Sequence, residues 1–179
     1  MERNNTTRRA FIRRSAAGAA GVALSACATR RGYDDRANIV LIFADDLGYS
    51  DLSCFGCDDY QTPHLDALAG QGVRCTDFYV AAPVCTPSRY ALLTGKQPFR
   101  SNGLTTALMP PDTNGLNPTE TTIAEVLQDA GYRTACIGKW HLGRLDPDYH
   151  PFNHGFDRFY GFQGGLVDYY RHAYATEPD

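Results

Sequence analysis

Asn38 to Phe43 reads NIVLIF, a continuous apolar run rich in β-branched residues with polar residues on both sides. A run of this kind reads as a strand buried on both faces, as in parallel sheets. Such a strand needs a layer of structure on each side, and that requirement limits the fold more than any other segment of the chain. It runs into Ala44-Asp45-Asp46-Leu47-Gly48, which reads as a turn carrying two adjacent carboxylates.

The elements that follow alternate. Thr62-Pro63 opens a helix, with Thr62 as N-cap, Pro63 in the first turn, Leu65, Leu68 and Ala69 on one face, and Gly70 and Gly72 as stops. Val73 to Val80 reads as a second strand. Ser88 to Thr94 reads as a helix ended by Gly95, and Pro98 to Pro118 as a long loop rich in Pro, Asn, Gly and Thr. Thr122 and Glu125 make a capping box. Ile123, Val126, Leu127 and Ala130 form the stripe of the helix behind it, and Gly131 ends it. Arg133 to Gly138 reads as the next strand, running into Lys139-Trp140-His141. Beyond it lie turns rich in Gly, Tyr and Phe, with no further element expected. Strand, helix, strand, helix, helix, strand describes an α/β chain with a mostly parallel central sheet flanked by helices.

Charge and cysteine usage narrow the class. Five of the 17 basic residues but one of the 20 acidic residues fall in positions 1–26, leaving twelve against nineteen in the rest. A mildly acidic body is a poor nucleic-acid binder. Thr7-Arg8-Arg9-Ala10-Phe11-Ile12-Arg13 resembles a twin-arginine export signal, and Ala16 to Ala26 is an apolar run too short to span a bilayer. Leu24-Ser25-Ala26-Cys27 looks like a bacterial lipobox. Residues 1–26 are thus expected to be a signal peptide, 27–36 a tether, and 37–179 the folded part. The expected location is periplasmic or cell-envelope, with membrane attachment only through a lipid on Cys27. Beyond Cys27 stand Cys54, Cys57, Cys75, Cys85 and Cys136, an odd number for an oxidising compartment. Cys54 and Cys57 form a CxxC with no second pair for zinc. A structural pair or two separate thiols is expected there, and Cys75 and Cys136 are expected to be small buried hydrophobes.

Three polar clusters lie just after strands or before a helix: Asp45/Asp46, Cys85/Arg89 and Lys139/His141. Ligands in such sheets sit beyond the carboxyl ends of the strands, so convergence on one crevice is the simplest arrangement. Adjacent carboxylates raise each other's pKa unless a cation is shared, and oxygen donors suit calcium or magnesium better than zinc. Cys85 precedes a helix, where free N–H groups favour an anion. Pro87 falls in the first turn, and Arg89 is placed to reach back. Strand-like alternation would turn Lys139 and His141 to the crevice while Trp140 packs behind. Each cluster alone has an ordinary explanation: a solvated carboxylate, a structural cysteine, a surface lysine, a core histidine.

The segment CTPSRYALLTG strongly resembles the signature of the type I sulfatases, members of the alkaline-phosphatase-like superfamily. NIVLIFADDLGYSDLSCFG, TPHLDALAGQGVRCTDFYVAAPVC, TTIAEVLQDAGYRTACIGKWHLG and HGFDRFYGF are similar to further family segments, in order, from about Ala37 to Tyr170. The resemblance implies hydrolysis of sulfate esters. It implies that Cys85 is oxidised to formylglycine by a formylglycine-generating enzyme reading Cys-x-Pro-x-Arg, matched here by Cys85, Pro87 and Arg89. A hydroxyl of the hydrated aldehyde would attack sulfur, and the second would expel sulfate. Asp45, Asp46 and the modified Cys85 would bind calcium or magnesium; Arg89 and Lys139 would hold the hydrate and the sulfate; His141 would bond a hydroxyl and take its proton. The implied substrate is a sulfated small molecule or polysaccharide. His64 and Tyr90 depart from the usual pattern, and the chain is much shorter than family catalytic domains, so it is expected to be an N-terminal part lacking later ligands and to be inactive alone. The rival expectations are an inert sulfatase-like lipoprotein, a phosphate or phosphonate ester hydrolase of the same superfamily, and a CxxC redox protein.

Overall fold

A computed structural model describes residues 36–173. Contacts divide the chain into two units, Met1–Ala44 and Asp45–Asp179. The expected signal peptide, the lipobox cysteine and most of the tether lie outside the described residues.

In the first unit, residues 36–44 take no place in a sheet. The strand expected at Asn38 to Phe43 is therefore not observed, and Ile39 to Ile42 are exposed, Val40 at 83%. Apolar content disposes a segment to burial, but a strand exists only through ladder hydrogen bonds to another segment. The expected strand Val73 to Val80 is likewise absent, with Val73 at 90% exposure.

In the second unit the helices form where local chemistry starts them. Helix α1 is Pro63–Gln71, with proline in its first turn and Gly72 donating back to Leu68 at its end. Thr62 sits at the N-cap without a capping bond. Its hydroxyl instead joins Ser53 and donates to Asp66 at 3.0 Å. Asp66 also accepts from the Ser53 hydroxyl at 2.6 Å and the Cys54 N–H at 2.9 Å, closing a polar knot at the helix start. No residue of α1 is buried, so the expected Leu65–Leu68 face is not a core face.

Helix α2 is Cys85–Thr94, beginning three residues earlier than expected, with Val84 at the N-cap and Gly95 left-handed at its end. Helix α3 is Ile123–Asp129 and carries the expected capping box: Thr122 Oγ1 accepts from Glu125 N–H at 3.2 Å, while Thr122 N–H donates to Glu125 Oε2 at 2.7 Å. Ala130 is its C-cap and Gly131 follows with φ 84°. The buried residue of α3 is Ala124, whereas Ile123 and Val126 of the expected stripe face outward.

Strand β1 is Ala135–Lys139, shifted from the expected Arg133–Gly138, and it pairs in parallel with β2, Arg158–Phe162, in register from Ala135↔Arg158 to Lys139↔Phe162. β2 lies where no element was expected. Among the described residues these two strands make up the sheet. The connection between them contains short 3-10 turns at Pro147–Tyr149 and Pro151–His154. Gly155 (φ 82°) ends the second turn, and a Cβ there would lie 2.3 Å from the Glu125 nitrogen, so only glycine lets this connection touch α3.

The core is built from Tyr90, Leu104, Leu116, Trp140 and Leu142, with Leu93, Leu108, Cys136, Phe156 and Phe159 packed around it. Leu104 and Leu116 come from the expected loop Pro98 to Pro118, which is therefore a packed segment in part. Trp140 anchors the cluster, with Nε1 donating to Tyr149 C=O at 2.9 Å and Phe156 edge-on at 6.0 Å. Tyr90, a departure from the family pattern, is a core residue whose hydroxyl donates to Glu120 at 3.1 Å. The five cysteines 54, 57, 75, 85 and 136 are all free thiols, so Cys54 and Cys57 are separate. Cys57 is buried and Cys136 half-buried, but Cys75 is exposed, against expectation, because its segment forms no strand.

Candidate active site

Both strands end at the same place, and the segments leaving their carboxyl ends form a cleft of about 540 Å³. Its floor brings together Asp45, Asp46, Cys85, Lys139 and His141, so the three sequence clusters do converge. The walls are less polar, with Leu108 and Met109 in one loop and Leu166, Val167 and Tyr169 in the segment after β2.

Cys85 is the first residue of α2, half-buried at the cleft. Arg89, one turn further on, lies beneath the floor. One guanidinium nitrogen donates to Lys139 C=O at 2.7 Å, and another is 3.5 Å from Asp45 Oδ1. Lys139 Nζ bonds Asp45 Oδ2 at 2.7 Å. Burial by itself would raise the Asp45 carboxyl, but the Lys139 bond and charge, with Arg89, outweigh it and hold the group below its ordinary range. These contacts tie α2, the end of β1 and the 45–46 turn into one charged knot.

Lys139 and His141 both reach the cleft while Trp140 packs inward, but the route is not the expected strand alternation. β1 ends at Lys139, and His141 turns into the left-handed region at φ 57°. Trp140 and His141 still donate backbone bonds to Phe162 and Gln163 at 2.9 and 3.0 Å, so the turn is held by the end of β2 and the residue after it. A non-glycine residue in that region costs free energy that its surroundings must supply, and such residues gather at functional sites. Asp46, with φ 60°, is a second case on the same floor. Burial pushes the His141 imidazole below its ordinary pKa, the Leu108 carbonyl opposes this, and the Lys139 and Arg89 charges add to the lowering. The imidazole is therefore neutral at pH 7.

The floor fits a hard cation in donor type, since two carboxylates are oxygen ligands of the kind calcium and magnesium prefer. It does not complete such a site. Asp45 is already engaged by two cationic side chains, and among the described residues no group of three or more His, Cys, Asp or Glu is placed to hold a metal ion.

Sequence reasoning missed three contributors. Thr86, fully buried, bonds both Leu108 and His141; Leu108 supplies a carbonyl to the His141 ring; Gly165 lies against that ring. The aromatic content of Arg158–Phe162 was a sign of the strand that brings Gly165 there.

The family profile described as Sulfatase matches residues 37–178. Arylsulfatase H of Canis lupus familiaris is 50% identical over 148 residues, covering 75% of this chain and 26% of that protein. Human arylsulfatase A is 53% identical over 126 residues, covering 69% and 25%. Steryl-sulfatase of Mus musculus is 49% identical over 134 residues, covering 69% and 22%. Among solved structures, Ps i-CgsB superposes with a TM-score of 0.70 at 43% identity, covering 74% of this chain and 29% of that one. The chain belongs to the sulfatase family and has its α/β, alkaline-phosphatase-like fold. It spans about a quarter of the length of the curated relatives it matches.

Proposed function

We propose that the cleft is the sulfate-ester-cleaving centre of a sulfatase, with Cys85 as the residue converted to formylglycine. The observation that carries this reading is the convergence of Cys85, Lys139 and His141 with Asp45 and Asp46 on one floor. The aldehyde hydrate would supply the nucleophile. Lys139 brings a positive charge to the cleft where a sulfate would bind, Arg89 bonds the Lys139 carbonyl and pairs with the Asp45 carboxylate, and His141, lowered in pKa, would be available to accept a proton. Asp45 and Asp46 would contribute two oxygen donors to a calcium site. Calcium takes six to eight, so the affinity of these residues alone is expected to be low. This shortfall is the specific support for the second reading, binding without turnover.

A sulfated carbohydrate is the substrate class with support, because a neighbour at TM-score 0.66 and 39% identity, Ps i-CgsB, is solved in complex with k-i-k-neocarrahexaose. Relatives named arylsulfatases support the smaller aryl sulfates. The twin-arginine and lipobox segments support export to the cell envelope, which blocking of export by Arg8→Lys with Arg9→Lys would test.

Chain expressed with a formylglycine-generating enzyme should give a tryptic peptide Cys75 to Arg89 lighter by about 18 Da at Cys85. An unshifted peptide, with a known sulfatase modified in the same cells, overturns the formylglycine assignment. Paired assays on an aryl sulfate and an aryl phosphate then separate sulfatase from phosphoesterase, and lack of turnover on both favours the binding-only reading.

A further inference from the structure

Thr86 occupies the position that Cys-x-Pro-x-Arg leaves open, yet its side chain is fully buried. Its hydroxyl donates to the His141 backbone C=O at 3.0 Å and accepts from the Leu108 N–H at 3.1 Å. The Leu108 C=O then meets His141 Nε2 at 2.7 Å. One hydroxyl thus ties the residue beside Cys85, the backbone of His141 and the loop that contacts the His141 ring.

That arrangement fixes the chemistry of the ring. A carbonyl oxygen only accepts, so the nitrogen facing it must carry hydrogen. A neutral imidazole has one such hydrogen, which places it on Nε2. Nδ1 is buried with no hydrogen-bond partner, consistent with a bare lone pair. From the other side Gly165 closes the space, since a Cβ there would stand 2.7 Å from Cε1 and 2.8 Å from Nε2. The ring is held between a carbonyl and a glycine, and Thr86 holds the N–H of the residue that supplies the carbonyl.

We propose that Thr86 is a positioning residue for His141: by pinning the Leu108 peptide it imposes the Nε2–H tautomer and makes Nδ1 the nitrogen that accepts a proton. For a neutral ring the tautomer stands on the Leu108 carbonyl at Nε2 and the partnerless Nδ1, while the step that the Nδ1 lone pair serves rests on the function proposed above. Thr86→Val removes the hydroxyl at nearly constant shape, and Thr86→Ser keeps it.

The test is a long-range ¹H–¹⁵N correlation spectrum of the histidine-labelled chain at pH 7.5, with His141 assigned by its loss in His141→Gln. The expected wild-type pattern is a single Nε2–H tautomer, retained in Thr86→Ser and lost to a mixture in Thr86→Val. An Nδ1–H pattern in the wild type, or a Thr86→Val spectrum identical to it, overturns the inference. Should Thr86→Val fail to fold, judged by Trp140 emission, hydrogen exchange of the wild-type Leu108 amide decides: slow exchange supports the bond to Thr86, and free exchange overturns it. A chain with the expected tautomer but no aryl sulfate turnover counts against the proposed function and leaves this inference standing.

Discussion

Residues 46–80 and residues 85–162 are held together by different means. The later segment has a core: Tyr90, Leu104, Leu116, Trp140 and Leu142 bury one another, and the cleft floor is built on top of them. The earlier segment has the polar knot of Ser53, Thr62 and Asp66, the Arg74 guanidinium on the Cys54 carbonyl, and a single buried hydrophobe, Cys57. Its apolar residues Leu47, Leu65, Leu68, Val73 and Phe78 instead line a shallow, open groove. Hydrogen bonds set local geometry there, while burial sets stability in the later segment, and burial is the larger contribution.

The largest effect should come from the later segment. Trp140→Ala removes the central core side chain and its bond to Tyr149, and should cost about 3–5 kcal/mol in chemical denaturation. A cost below about 1 kcal/mol would mean that the cluster is not what holds this segment. Gly155→Ala comes next, at about 1–3 kcal/mol, because it combines a left-handed φ with a backbone clash at Glu125.

Acid should separate the segments further. His154 is fully buried, 5.7 Å from Trp140, and neither ring nitrogen reaches hydrogen-bond geometry. Burial pushes it below its ordinary value of 6.5, against weaker opposition from Glu125 and the Asp148 backbone, and His141 is lowered likewise. The unfolded chain then binds protons that the folded chain refuses, so stability is full above about pH 6.5 and falls as pH drops below it. Denaturation midpoints should decline from pH 7.5 to 5.5, less so in His154→Phe. Asp45 is lowered too, but against its burial, because Lys139 and Arg89 favour its charged form. Its contribution persists above its ordinary 3.8 and is lost only as pH falls through its lower folded value. A flat profile between pH 7.5 and 5.5 would show that neither histidine is closed off from water.

Asp66→Asn should act locally, speeding amide exchange at Cys54 while leaving the β1 amides unchanged; equal effects on both would merge the two segments into one cooperative unit. The smallest effect belongs to Leu68→Ala on exposed α1, within about 0.5 kcal/mol of wild type.

What the sequence made legible follows the same division. Helix ends were readable because their signals are local: Thr122 with Glu125, Pro63 at the start of α1, and Gly95 behind α2 all act within a few residues. Strands were not, because pairing is a property of two segments. Asn38 to Phe43 has the composition of a buried strand and no ladder, whereas Arg158–Phe162 has a ladder and a mixed composition. The cleft residues were legible by type and by their place after strands. Their connections were not, since Thr86 is an unremarkable threonine until Leu108 and His141 come within 3.1 Å of it.

The two-stranded parallel sheet has a consequence for handling the protein. No third strand flanks it among the described residues, and Ile137 and Tyr160, partners in register, are about four-fifths exposed. Unpaired strand edges beside an exposed apolar face of this kind template the addition of further strands. Light scattering should therefore rise with concentration sooner than the net charge of −3 would suggest, and Ile137→Lys should delay the rise. The colloidal behaviour of the chain is thus written into the same pair of strands that delivers Lys139 to the cleft.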